Sequence, residues 1–167
     1  SEPIPFTEAA EIGTEKVIKE HSTIGIVVTT DGSIGDIPRS EYVEAEKTVI
    51  EELNAVGKPY IVLLNSVHPM LPDTEALAGK LKEEYNVPVM PISIEAMQER
   101  DMYNILKEAL YEFPIEQIKV NMPEWIAILA PDHYLKKEYI SKIKEAITEV
   151  NKLKDIDKIN NNFTESE

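Results

Sequence analysis

The sequence predicts an α/β fold built on a parallel sheet, and three observations carry that expectation. Continuous runs of β-branched and apolar residues recur, as in Thr23–Thr30 and Tyr60–Leu64, and such runs mark strands covered on both faces. The segments between them carry apolar residues at helical spacing and end on Gly or Pro. Strand and helix signals then alternate three times, the grammar of βαβ crossovers and a parallel sheet.

The elements follow in order. A helical pattern over Thr7–His21 opens the chain and is expected to pack on one face of the sheet. With no initiating Met before it, it suggests that the front of a domain lies upstream. The first strand is Thr23–Thr30, followed by a loop rich in Asp and Gly. A helix from about Ser40 presents Val43, Val49, Ile50, Leu53 and Val56, and Gly57 and Pro59 stop it. The second strand is Tyr60–Leu64. Its helix, N-capped at Asp73, buries Leu77, Leu81 and Tyr85. The third strand, Val87–Ser93, leads to a helix carrying Ile105, Leu106, Ala109, Leu110 and Phe113.

After Phe113-Pro114 the grammar changes. Ile118–Leu129 reads as extended segments broken at Pro123. From Asp132 to about Asn160 runs one long helix with Leu135, Tyr139, Ile143, Ala146, Val150 and Leu153 in a stripe. Two domains are therefore expected, residues 1–113 and 114–167.

Composition excludes several classes. The 167 residues hold 31 acidic against 17 basic side chains, a formal net charge of −14. That argues against a nucleic-acid surface, which needs clustered Lys and Arg to displace counterions. Cysteine is absent, which rules out disulfides and thiolate metal sites. No apolar run approaches the roughly 20 residues that span a bilayer, and Ser1–Phe6 does not read as a signal peptide. The expected location is cytoplasmic.

Chemistry is expected at the C-terminal edge of the sheet, where parallel α/β folds bind ligands. There Tyr60–Leu64 runs into Asn65-Ser66-Val67-His68. P-loop GTPases place Asn-Lys-x-Asp at this point, so Ser66 and His68 are departures. An Asn side chain both donates and accepts, which suits a purine edge and equally suits bracing a neighbouring loop. A carboxylate three residues on would accept two guanine N–H bonds, whereas neutral His68 offers one acceptor nitrogen. Guanine selectivity should then be lost, with adenine the natural alternative. The plainer alternative is that Asn65 closes a turn and His68 lies in a solvated loop. Ser93-Ile94 ends the third strand where GTPases place a second base-contacting loop. Arg39 is a candidate phosphate ligand; paired instead with Glu41 or Asp36 it would be surface.

Other features read as structural. Glu44, Glu46, Glu51 and Glu52 are expected on a solvated helix face, and Trp125 in a core. The three histidines have no metal-like spacing, and no metal site is expected. Gly-x-x-x-x-Gly-Lys-Ser/Thr does not occur, so these residues alone cannot cradle a triphosphate.

Longer stretches carry a resemblance. They are Pro3-Ile-Pro-Phe-Thr-Glu-Ala-Ala-Glu-Ile-Gly-Thr, His21-Ser-Thr-Ile-Gly-Ile-Val-Val-Thr-Thr-Asp-Gly, Ile34-Gly-Asp-Ile, Glu51-Glu-Leu, Asn65-Ser-Val and Glu108-Ala-Leu-Tyr-Glu-Phe-Pro. Together they resemble the stage IV sporulation protein A family, spore-coat morphogenetic ATPases of endospore-forming bacteria. The resemblance implies the C-terminal half of a P-loop GTPase-like, translation-factor-type domain, running into a middle domain after Pro114. It implies ATP and Mg2+ as ligands of the intact protein, with none held tightly by this portion. The phosphate loop, Thr switch and Asp-x-x-Gly loop would lie upstream, so no catalytic residue is assigned beyond the candidate Arg39. The base site would comprise Asn65, Ser66, His68, Ser93 and Ile94.

As partners the resemblance implies other copies of the protein in a polymer, spore-coat proteins, and a small amphipathic peptide that anchors it. The polymer would form the basement layer of the coat in the mother cell, at the outer forespore membrane. Membrane contact would be indirect, and nucleic acid no partner. Two alternatives stand beside it. A structural interaction module with a decayed nucleotide fold would lack a phosphate loop upstream. A free-standing flavodoxin-like or receiver domain fits the three βα units by pattern, but not the literal matches.

Overall fold

The computed structural model describes Lys16, residues 20–148 and residues 150–156. The chain divides into two compact units, residues 1–112 and 113–167. The helix expected over Thr7–His21 lies almost wholly outside the described residues.

In the first unit, strands β1 (Gly25–Thr30), β2 (Tyr60–Asn65) and β3 (Val89–Ile92) form a parallel sheet in chain order. Both pairings run in the parallel sense, as the alternation of strand and helix signals requires. Thr30 lies opposite Asn65, and Asn65 opposite Ile92, so the three loops that follow leave from one edge. β1 and β3 are shorter than the apolar runs that announced them. β2 is the central strand, and every residue from Tyr60 to Leu64 is buried.

Among the described residues three helices cover the sheet: α1 (Val43–Val56), α2 (Pro72–Tyr85) and α3 (Glu99–Tyr111). Because side chains alternate along a strand, β2 serves two cores. Tyr60 and Val62 pack with Ile50 and Leu53 of α1, and Leu64 packs with Ala78 and Leu81 of α2. On the opposite face Ile61 and Leu63 meet Ile105 and Ala109 of α3. Ile61 is fully closed off from solvent. Ile61→Ala therefore lowers the unfolding free energy by about 2–5 kcal/mol, to be read from urea denaturation of the chain.

The helices keep their places, but some inward faces differ from expectation. α1 ends where Gly57 adopts a left-handed conformation (φ 70°) and its N–H reaches the Leu53 and Asn54 carbonyls. Val49, however, is exposed. α2 starts at Pro72 rather than behind a cap at Asp73, and its buried residues are Thr74, Ala78 and Leu81. Leu77 and Tyr85 are only half-buried. On α3, Leu106 and Leu110 face outward, 59% and 57% exposed.

Glu46 corrects the sequence reading most sharply. Expected on a solvated face, it is 5% exposed, held beneath the sheet by groups from three other segments. Arg39, in the 3-10 turn Arg39–Glu41, grips its carboxylate at two points: Nη1 to Oε2 at 2.6 Å and Nη2 to Oε1 at 2.7 Å. Nη1 also donates to Thr29 Oγ1 at 3.0 Å, and the Tyr85 hydroxyl donates to Glu46 Oε1 at 2.7 Å. A buried carboxylate persists only when satisfied in this way. Burial alone would push the Glu46 carboxyl up, but these hydrogen bonds and the Arg39 charge outweigh it and hold it below its ordinary value. The Tyr85 hydroxyl, buried against that carboxylate, is raised.

The second unit departs further from expectation. The segment expected to be extended contains a short helix, α4 (Glu124–Ala127), following Pro123. Ile126 is its buried residue, while Trp125, expected in a core, is 61% exposed. The long helix is α5 (Tyr134–Thr148), ending well short of Asn160. Lys136 Nζ donates to the carbonyls of Ala127 and Leu129, tying α5 to the end of α4. Past α5 the backbone turns sharply, with Asp155 accepting from the Asn151 and Lys152 amides.

Candidate functional site

The register of the sheet brings three loops together at one corner. β1 runs into Asp31, β2 into Ser66 and β3 into Ser93. Asn65, last in β2, is half-buried, and its side-chain Oδ1 accepts from the Ile94 amide at 3.0 Å. The bracing role is therefore real. It uses one end of the amide group only: among the described residues the Nδ2 end has no protein partner. That donor remains for a ligand at the sheet edge.

Ser66 behaves differently from an exposed binding residue. It is fully buried, its backbone N–H donates to the Ile92 carbonyl at 2.9 Å, and its Oγ accepts from the His68 amide at 3.0 Å. It shapes the loop from within. His68 is exposed, as is Ile94, with Ser93 half-buried between strand and loop. A shallow hollow of about 450 Å³ lies along Val67–Leu71, where Met70 is 80% exposed. Its lining is formed by these five loop residues alone and includes neither Asn65 nor Ser93 nor Ile94. Arg39 is not part of this corner. It pairs with neither Glu41 nor Asp36, because its guanidinium is committed to Glu46.

Asp31 organises the corner. Its Oδ1 accepts from the Ser33 amide at 2.9 Å and the Ser33 hydroxyl at 2.5 Å, and its Oδ2 accepts from Thr74 Oγ1 at 3.0 Å. Ser33 Oγ in turn accepts from the Val67 amide at 2.9 Å. Burial would push the Asp31 carboxyl up, but hydrogen bonds from Ser33, Ser66 and Thr74 hold it below its ordinary value. It is therefore ionised at neutral pH. The sequence signals the local half of this arrangement, since Asp two residues before a donor amide is an Asx turn. Thr74, 43 residues away, carries no such signal. Gly32 is required here: its φ is 90°, and a Cβ would lie 2.8 Å from the Arg39 nitrogen.

Chemically the corner offers the Asn65 amide, serine hydroxyls and one fixed carboxylate. Among the described residues no group of three His, Cys, Asp or Glu is placed to hold a metal ion. No described helix is long and apolar enough to cross a membrane.

Comparison with known proteins gives a consistent result. The sequence profile described as Stage IV sporulation protein A, ATPase domain, matches residues 1–114. The one described as Stage IV sporulation protein A, middle domain, matches residues 115–167. Stage IV sporulation protein A of Bacillus subtilis (strain 168) is 53% identical over 166 residues, 99% of this chain and 34% of the relative. Those of Bacillus anthracis and Clostridioides difficile (strain 630) are 51% and 44% identical over the same coverage. The chain thus spans about a third of the length of the curated relatives it matches. No solved structure gives a significant match.

Proposed function

Because this chain belongs to the stage IV sporulation protein A family, we propose that residues 1–113 form the base-recognising half of a P-loop GTPase-like domain that hydrolyses ATP in the full-length protein. Residues 114–167 begin its middle domain. The observation that carries this is Asn65: at the end of the central strand it braces the Ile94 loop with Oδ1 and leaves Nδ2 open. His68, three residues on, supplies no carboxylate for the paired guanine contacts, so adenine is preferred.

The residues fit a nucleobase but not a triphosphate. Asn65, His68, Ser93 and Ile94 would surround the base, with Ser66 supporting them from below. The phosphates and Mg2+ would be held elsewhere in the polypeptide, where they supply the cleavage chemistry. In this reading hydrolysis drives self-assembly into the basement layer of the spore coat, in the mother cell at the forespore surface. Its partners are further copies, spore-coat proteins and a small amphipathic membrane-anchoring peptide.

Two measurements test it. The purified 167-residue chain shows no ATP turnover above a contamination control, because it lacks a phosphate loop. Turnover by the chain alone overturns the assignment of the phosphate site to other segments. In the full-length protein Asn65→Ala raises KM for ATP about tenfold, the worth of about one hydrogen bond. An unchanged KM removes Asn65 from the base site and favours the structural-module alternative.

A further inference from the structure

We propose that Ser33, anchored by Asp31, is a positioning residue that sets nucleotide selectivity by fixing the backbone that carries His68; this rests on the base-site reading above. Selectivity at the corner depends on where His68 points, and an exposed side chain on a surface loop has no packing to direct it. What directs it is the backbone beneath. Two successive amides, Val67 and His68, are each held by a serine hydroxyl, at 2.9 Å from Ser33 and 3.0 Å from Ser66. Ser66 anchors the root of the loop to β3 through its amide on the Ile92 carbonyl, and its Oγ lies 3.4 Å from the Ser33 hydroxyl. Ser33 comes from the β1 loop, 34 residues away, and so fixes the loop relative to the rest of the sheet.

Ser33 is itself exposed, so packing does not choose its rotamer. Asp31 does, by accepting from both its amide and its hydroxyl. The other oxygen of the same carboxylate takes the Thr74 hydroxyl, in the first turn of α2, where the loop from Asn65 ends. One carboxylate therefore closes both ends of the Asn65–Thr74 segment: the start through Ser33 and Val67, the finish through Thr74. An ionised group near a helix N-terminus is also electrostatically favoured there. The clasp leaves Asn65 alone, since that side chain is tied to Ile94 instead.

The test combines two readouts. In the 167-residue chain, Ser33→Ala speeds hydrogen exchange of the Val67 amide and leaves the Ile94 amide unchanged; no acceleration at Val67 refutes the clasp. In the full-length protein, Ser33→Ala raises KM for ATP about tenfold and lowers the ATP-to-GTP ratio of kcat/KM, with kcat within about twofold. Ser33→Thr, which keeps the hydroxyl, restores both. A purely structural role would lower stability without moving the ratio, and that outcome overturns the proposal. Asn65→Ala run alongside separates the two ideas. If it raises KM while Ser33→Ala does not, positioning by Ser33 is wrong and the base site stands. If neither changes KM, the base site is wrong and the inference falls with it.

Discussion

Arg39→Met lowers the unfolding free energy of the chain at pH 7 by about 3–5 kcal/mol, the cost of leaving a buried charge without its partner. The Glu46 side chain is 2% exposed and Arg39 18%, so solvent cannot replace the guanidinium. The remaining bonds from Tyr85 and Thr29 cannot neutralise the carboxylate. The pH dependence has a definite sign. In the parent chain the folded carboxyl titrates below its ordinary value of 4.5. Its contribution is then fully present above that value and lost as the pH falls through the folded one. In the variant burial remains, while the Arg39 charge and hydrogen bonds are gone and only the bonds from Tyr85 and Thr29 are left. The carboxyl then takes its proton at higher pH than in the parent, and protonation relieves it. The difference between parent and variant is therefore largest at neutral pH and narrows on acidification. Urea denaturation followed by circular dichroism at several pH values measures this. A constant difference across the series would mean that Glu46 does not carry the charge.

His68→Asp in the full-length protein shifts nucleotide preference toward GTP, raising the GTP-to-ATP ratio of kcat/KM by about tenfold to a hundredfold. An aspartate at this position accepts both guanine N–H groups in a charge-assisted pair, a contact worth a few kcal/mol where solvent is excluded. The single substitution is the right one. A lysine at position 66, to complete the GTPase pattern, would force a charge into a fully closed position and break the hydroxyl that holds the His68 amide. A folded, active His68→Asp variant with an unchanged ratio would place the base elsewhere.

The legible parts of the fold were those written in local pattern. The run Tyr60–Leu64 announces a strand buried on both faces, and Gly57 announces the end of α1. Alternation gave the parallel order, and that order put Asp31, Asn65 and Ser93 at one edge. What stayed hidden depends on partners distant in sequence. Nothing around Glu46 distinguishes it from its solvated neighbours Glu44 and Glu51; only Arg39, Thr29 and Tyr85 do, and they converge through the fold. α2 is turned so that Thr74 meets Asp31, which no spacing rule on Leu77, Leu81 and Tyr85 reveals. The apolar stripe from Leu135 onward continues beyond Thr148, although the backbone turns around Asp155. Periodicity reports which side chains share a face, not whether the helix persists.

The burial of β2 on both faces separates two kinds of sequence change. From Tyr60 to Leu64 each side chain is walled in, so substitution there is limited to apolar residues of nearly equal volume. The restriction on volume holds through the buried Ser66 and ends at Val67, because Val67, His68 and Met70 are exposed and pack in no core. Replacing them changes the surface that the loop presents at almost no cost in folding. Substitutions at these exposed loop positions can thus accumulate with each intermediate remaining folded, whereas Ser66, between them and the strand, cannot accept a charged side chain.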